Sequence, residues 1–242
     1  MNRFKFLEHE LNYKSQFIDN KICRENCTLY LVGERIDKQC ETCEDLKNYW
    51  WGLQQSLIPE KLQTKIELKP ENVDILAYNT LNDYRKNIMK NVRNGVNLYL
   101  FSEGICGNGK TSWAIKLIKT YLFNISNQNK ECKALFIRVP ELLLNFRLDI
   151  NHPTNKFFEI VEMIKTVDLV VWDDIGSTAT KDFDYQSLFT LIDIRVSSKL
   201  SNIFTSNLTK EKLVKVFDDR IVSRIYTNSA RVQFRGGDRR GV

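Results

Sequence analysis

Histidine and long apolar runs are both scarce in this 242-residue chain. Only His9 and His152 occur, which disfavours chemistry built on several histidines. No apolar run approaches the twenty or so residues of a membrane span. The opening MNRFKFLEHELNYK also lacks the unbroken apolar stretch of a signal peptide. Membrane and secreted readings are therefore set aside, and a cytoplasmic protein is expected. Asn and Lys are abundant, but there is no internal repeat and no low-complexity tract. What is present, 43% hydrophobic, 11% aromatic and 27% charged residues, suits a globular protein with a sizeable core. The length allows one ordinary domain plus a small accessory module. A net charge of +6 tilts the chain toward anionic partners such as nucleotides or nucleic acid, although many basic proteins bind neither.

The six cysteines are unevenly spread. Four lie in CRENC at 23–27 and CETC at 40–43, while Cys106 and Cys132 stand apart. In a reducing compartment, paired cysteines at such spacing point to a metal rather than to disulfides. Cys23, Cys27, Cys40 and Cys43 match a tetrahedral structural zinc, each short turn presenting two thiolates to the ion. Four sulfur ligands leave no open position, so this zinc would hold the module folded rather than catalyse. The other readings are four ordinary thiols, or a redox pair at Cys40 and Cys43.

The expected organisation has three parts. Residues 1–62 form a small, mainly helical module. It opens with a helical stretch from Phe4 to Phe17 and ends in a helix near Glu44–Ser56 that carries Tyr49, Trp50, Trp51 and Leu53. Those aromatics suit core packing or a partner-docking surface. Residues 63–71 read as a linker. From residue 72 the pattern becomes α/β: an amphipathic helix over Asn72–Val92 stops at Asn94-Gly95. Short apolar runs (Val96–Phe101, Ala134–Val139, Leu169–Trp172, Asn202–Thr205) then alternate with helical stretches. That alternation predicts a parallel sheet covered on both faces.

The run Val96–Phe101 leads into GICGNGKT at 104–111, and a helical stretch, Ser112–Phe123, follows. This strand–loop–helix context is the one a phosphate-binding loop requires. Gly104, Gly107 and Gly109 permit tight turns and close approach to phosphate. Backbone N–H groups from Gly107 through Asn108, Gly109, Lys110 and Thr111 to Ser112 face the anion at a helix N-terminus. Lys110 reaches the β- and γ-phosphates of ATP, and the Thr111 hydroxyl ligates Mg²⁺. The run Leu169–Trp172 ends in Asp173-Asp174, two carboxylates at a strand end facing the ligand crevice. Asp173 is expected to bind Mg²⁺ through water, and Asp174 to orient or activate the attacking water.

GICGNGKT, LVVWDDIG at 169–176, IFTSNL at 203–208 and DDRIVSRI at 218–225 together resemble the AAA+ ATPases. More narrowly they resemble the bacterial replicative helicase loaders of the DnaC and DnaI family and their relatives, the IstB-type transposition ATPases. The resemblance covers roughly residues 66–242. It implies that Asn207 is the sensor that polarises the attacking water. It makes Arg224 the arginine finger entering a neighbouring subunit, with Arg220 the alternative, and Arg240, in ARVQFRGGDRR, the second-sensor candidate. Independently, Arg220 and Arg224 are four positions apart and share one helix face. A guanidinium gives two hydrogen bonds to phosphate oxygens. A solvated basic face, or contacts to a nucleic-acid backbone, is the other reading of that pair. Most AAA+ enzymes carry Asp-Glu where this chain has Asp173-Asp174, which predicts slow hydrolysis or marks the DnaI branch. Only eighteen residues follow Arg224, so no helical lid is expected.

The resemblance also implies that the helical stretches Pro140–Leu148 and Pro153–Lys165 line a spiral of subunits and touch single-stranded DNA. Arg147, Lys156 and Lys165 supply charge there, and Phe146, Phe157 and Phe158 supply rings for stacking or for packing. A cysteine-rich docking module ahead of a lidless ATPase domain resembles the DnaI-type loaders. The expected function is therefore an ATP-dependent loader that self-associates and delivers a hexameric replicative helicase onto single-stranded DNA. An IstB-type transposition helper, or a helicase-binding adaptor or inhibitor that does not hydrolyse ATP, is the alternative.

Overall fold

The computed structural model describes residues 44–63, 68, 72–126, 133–151, 155–178 and 182–239. The four apolar runs form β1 (Asn97–Ser102), β2 (Ala134–Arg138), β3 (Leu169–Asp173) and β4 (Ser201–Ser206), and the segment that opens ARVQFRGGDRR forms a fifth strand, β5 (Ser229–Phe234). All pair in parallel, in the order β2-β3-β4-β1-β5. Side chains alternate between two apolar clusters. Leu98, Leu100, Phe136, Val171 and Ile203 face one, and Tyr99, Leu135, Ile137, Val170, Trp172 and Phe204 face the other. Two buried faces explain why β1, β2 and β3 read as apolar runs in the sequence, whereas the edge strand β5 is largely unburied.

The first face is covered by α1 (Glu44–Gln55), α3 (Ile75–Lys86), α4 (Ile88–Arg93) and α5 (Lys110–Ser126), with the short turn α2 (Glu60–Gln63) beside them. The opposite face is covered by α6 (Val139–Asn151), α7 (Asn155–Thr166), α8 (Asp182–Ser197), α9 (Lys210–Val216) and α10 (Asp219–Tyr226). This is the expected α/β architecture. No helix among the described residues is long and apolar enough to cross a membrane.

Three local features differ from the sequence expectation or extend it. The helix expected over Asn72–Val92 is a 3₁₀ turn (Asn72–Asp74), then α3, then α4. The break falls at Asn87, whose Nδ2 donates to the Asp83 carbonyl at 2.9 Å and competes with the helical ladder. The stop at Gly95 is as expected: its φ is +61°, and a Cβ there would lie 2.4 Å from the Lys199 carbonyl oxygen. Helix α8 was not assigned from sequence because a charged residue, Arg195, lies on its buried face. The Arg195 guanidinium donates to the carbonyls of Ile164 (2.7 Å), Val167 (2.8 Å) and Ser201 (2.7 Å). Its Nε donates to Asn202 Oδ1 at 2.7 Å, so one cation ties the end of α7 to α8 and β4.

Helix α1 lies against α5. Tyr49 packs edge-on to Phe123 with ring centres 5.6 Å apart, and Asn48 Nδ2 donates to the Ser126 carbonyl at 3.1 Å. Tyr49, Leu53 and Ile58 belong to the same apolar cluster as the sheet. Beyond α1 the Ser56 carbonyl accepts from Phe136 N–H (2.7 Å) on the sheet's edge strand, and the Lys119 ammonium donates to the Gln63 carbonyl (2.6 Å). Residues 44–63 are thus packed against the parallel sheet and α5. Cys23, Cys27, Cys40 and Cys43 lie outside the described residues, as do Cys132, Arg240 and the side chain of Lys156.

Candidate nucleotide site

The loops after β1, β3 and β4 meet at the C-terminal edge of the sheet, as expected for a crevice in an open parallel sheet. Gly104, Gly107 and Gly109 have φ of +77°, +71° and +99°, backbone that glycine adopts without penalty. The loop then enters α5 at Lys110. The Lys110 ammonium is buried and donates to Ser102 Oγ (2.6 Å), Asn108 Oδ1 (2.8 Å) and the Ile105 carbonyl (3.0 Å). The Asn108 side chain is buried in the same loop, and its Nδ2 has no hydrogen-bond partner. A buried, unpaired donor inside a phosphate loop suits an anionic ligand.

Asp173 closes β3 beside this loop. Its Oδ1 accepts from Thr111 Oγ1 at 2.8 Å and from Thr205 Oγ1 at 2.7 Å. Burial pushes the Asp173 carboxyl up from its ordinary value, and the neighbouring Asp174 charge adds to the rise, while the two threonine hydrogen bonds oppose it. A carboxylate and a hydroxyl held together in a desolvated corner are hard oxygen donors of the kind Mg²⁺ takes, and the cation's charge would favour ionised Asp173. The residues fit the ion. Asp174 sits at φ +58°, with its N–H donating to Thr205 Oγ1 (3.0 Å) and its carbonyl accepting from Ser177. Thr205 therefore aligns both aspartates at once.

Asn207 follows β4, between the other two loops. Its carbonyl accepts from Gly104 N–H at 3.0 Å, its Nδ2 lies 3.4 Å from Cys106 Sγ, and its Oδ1 lies 3.3 Å from Ser102 Oγ. The structure thus brings together Gly104, Gly107, Asn108, Gly109, Lys110, Thr111, Asp173, Asp174 and Asn207, with Ser112 in the first turn of α5. Sequence reasoning missed Ser102 and Thr205. Ser102 is the polar residue that ends the mainly apolar strand β1, a signal that could have found it, whereas Thr205 lies second from the end of the largely polar SNIFTS strand and carries no such signal.

The two arginines lie elsewhere. Arg224 pairs through Nε with the Asp193 carboxylate of α8. Arg220 lies over the rings of Tyr185 (5.6 Å) and Phe189 (5.5 Å), and its Nε donates to Asp218 Oδ2 at 3.0 Å. Asp218 caps α10 by accepting from the N–H groups of Arg220 (2.9 Å) and Ile221 (3.1 Å). Among the described residues, neither guanidinium bonds to the phosphate loop of its own chain. Of the three phenylalanines, Phe157 is buried and packs edge-on against Phe146 at 5.1 Å, whereas Phe158 is 64% exposed. Lys165 pairs with Glu162 at 2.6 Å. Packing accounts for Phe146 and Phe157, leaving Phe158 as the ring facing solvent.

The family described as IstB-like ATP binding protein matches residues 85–237, from the end of α3 through the phosphate loop to the segment after β5. This chain belongs to that family. IstB-like chains bind ATP, which accords with the loop geometry above. Among curated proteins no sequence matches this one. The fold is similar to the crystal structure of the DnaC helicase loader, with a TM-score of 0.58 at 20% identity, covering 69% of this chain and 94% of that one. It is similar to the crystal structure of DnaI, with a TM-score of 0.58 at 20% identity, covering 73% and 94%. It is also similar to AMPPCP-bound DnaA from Aquifex aeolicus, with a TM-score of 0.53 at 19% identity, covering 76% of this chain and 53% of DnaA. At these identities the likeness fixes the fold alone, a five-stranded parallel sheet of the AAA+ phosphate-loop kind.

Proposed function

We propose that this IstB-like protein is an ATP-hydrolysing loader that binds a hexameric replicative helicase and delivers it onto single-stranded DNA. The observation that carries this reading is the likeness to the DnaC and DnaI structures over 94% of each of their chains. Lys110 exchanges its contacts to Ser102 and Asn108 for the β- and γ-phosphate oxygens of ATP. Thr111 and Asp173 would hold Mg²⁺, which would supply charge neutralisation for the phosphates. Asp174 takes the proton of the attacking water, and Asn207 orients that water. Arg224, with Arg220 as the alternative, reaches the γ-phosphate bound by an adjacent copy and stabilises charge there. Arg240 is the second-sensor candidate. Cys23, Cys27, Cys40 and Cys43 hold Zn²⁺ in the helicase-docking module, which belongs to residues 1–62 of the chain. Phe158, Arg147, Lys156 and Lys165 form the single-stranded DNA surface.

The test is light scattering after size exclusion, with the cognate helicase, ATP and Mg²⁺. A defined complex lost on deleting residues 1–43 supports the docking reading, and loading onto a closed single-stranded circle completes it. A complex with no hydrolysis, even when single-stranded DNA is present, identifies an adaptor or inhibitor. The second reading, an IstB-type transposition helper, is favoured by the family's own description. It predicts duplex preference, no helicase complex, and recruitment of a transposase.

A further inference from the structure

Residues 235–239 leave β5 and cross the outer side of the phosphate loop. The buried carboxylate of Asp74 helps hold them there. Asp74 accepts from Arg235 N–H (2.8 Å), from Gly236 N–H (3.2 and 3.3 Å to its two oxygens) and from Arg239 Nη2 (2.8 Å). Asp74 occupies the N-cap position of α3, yet its side chain makes no capping hydrogen bond. An aspartate at that position ordinarily satisfies the first N–H groups of its own helix. Here the carboxylate is committed to the crossing segment instead.

The far end of that segment touches the loop. Arg239 N–H donates to the Gly107 carbonyl at 3.0 Å. Gly107 is in left-handed backbone and has no side chain of its own to hold its peptide, so the Arg239 bond acts on that peptide together with the buried Asn108 side chain, which Lys110 holds at 2.8 Å. A trans peptide points its C=O and the following N–H in opposite directions. Holding the Gly107 carbonyl outward therefore aims the Asn108 N–H inward, where the phosphates are bound. The same unit is braced from the other side. Arg239 Nη1 lies 3.3 Å from Tyr78 OH, and the Tyr78 ring packs edge-on against Trp113, in the first turn of α5, at 5.0 Å.

We propose that residues 235–239 form a strap of the nucleotide site, and that Asp74 is a positioning residue for ATP, acting through Arg239 and Gly107 without touching the nucleotide. The proposal rests on the reading of the Gly104–Thr111 loop as an ATP site. It assigns Asp74 and the Arg239 backbone to phosphate affinity.

The experiment is titration of the full chain with ATP and Mg²⁺ by calorimetry, with melting temperature measured in parallel. Arg239→Pro removes the N–H bonded to Gly107, while Arg239→Ala removes only the guanidinium. Arg239→Pro should bind ATP about tenfold more weakly than Arg239→Ala, the scale of one hydrogen bond lost at a charged ligand. Asp74→Ala should lose affinity to a similar degree, and Asp74→Asn, which still accepts from the two backbone N–H groups, should recover part of it. Asp74→Ala combined with Arg239→Pro should be no weaker than the weaker single variant, because both act through one carbonyl. Equal affinities for Arg239→Pro and Arg239→Ala, or fully additive losses in the double variant, overturn the strap. If Asp74→Ala does not fold, the two Arg239 variants decide alone. Failure of the underlying reading looks different: the wild type and Lys110→Ala would then bind ATP equally poorly.

Discussion

Lys110 makes three internal hydrogen bonds from a buried position, so its ammonium is already aimed into the loop before any phosphate arrives. Lys110→Ala is expected to lower ATP affinity by roughly one to two orders of magnitude, read by calorimetry, while the fold remains. Asp174 makes a different prediction. Its left-handed backbone is one that Asp and Asn tolerate better than most side chains, which gives the Asp173-Asp174 pair a backbone reason. Asp174→Asn keeps that conformation and removes the base. Hydrolysis should fall roughly 10²- to 10⁴-fold with ATP binding retained, as measured by phosphate release. Lys119 gives a pH signature. Burial lowers its ammonium from the ordinary 10.5 to about 8. Between those values the unfolded chain keeps a proton that the folded chain has released, so this site makes folding more favourable as pH rises through the window. Measured by urea unfolding against Lys119→Met, which cannot titrate, the wild type should gain up to about 1.4 kcal/mol per pH unit there. A flat difference would place the Lys119 pKa outside that range.

At the scale of elements, α1 is the informative case. Its Tyr49 and Leu53 are buried against α5, the helix that starts with Lys110. Removing residues 1–63 strips Tyr49 and Leu53 from the apolar face of α5 and should destabilise or aggregate the remaining chain. Leu53→Ala is the milder form, with an expected cost of about 2–5 kcal/mol in chemical denaturation. A docking test by truncation therefore belongs at residue 43, because a cut at 62 disturbs the nucleotide helix as well. The sheet itself was legible from apolar runs because both of its faces are covered. Helix α8 was not, because its buried Arg195 serves carbonyls contributed by other elements, and no local pattern encodes that.

For the whole molecule, the question is how copies combine. Arg224 is held by Asp193 on its own chain and bonds to nothing in its own phosphate loop, which suits a residue that acts across a boundary. Arg224→Ala and Lys110→Ala should each be inactive alone. Mixed together they should regain hydrolysis, since some junctions then pair an intact phosphate loop with an intact finger. No recovery on mixing, with recovery instead for Arg220→Ala, would move the role to Arg220. Metal analysis of the full chain should find one zinc per chain, lost when Cys40 and Cys43 are changed to Ser.

Local order in the chain was sufficient for the parallel sheet, the phosphate loop and the Asp173-Asp174 strand end, because each rests on residues adjacent in sequence. Glycines that allow positive φ, a lysine at a helix start and carboxylates ending an apolar run carry their chemistry with them. Thr205 and Asp74 acquire their roles only when β4 meets β3 and the segment after β5 folds back, since Thr205 acts on Asp173 and Asp74 on Arg239, partners 32 and 165 positions away. The packing of α1 on α5 was settled in the same way. Its aromatics favoured core packing over a docking face without saying against what, and only the tertiary structure put Tyr49 against Phe123.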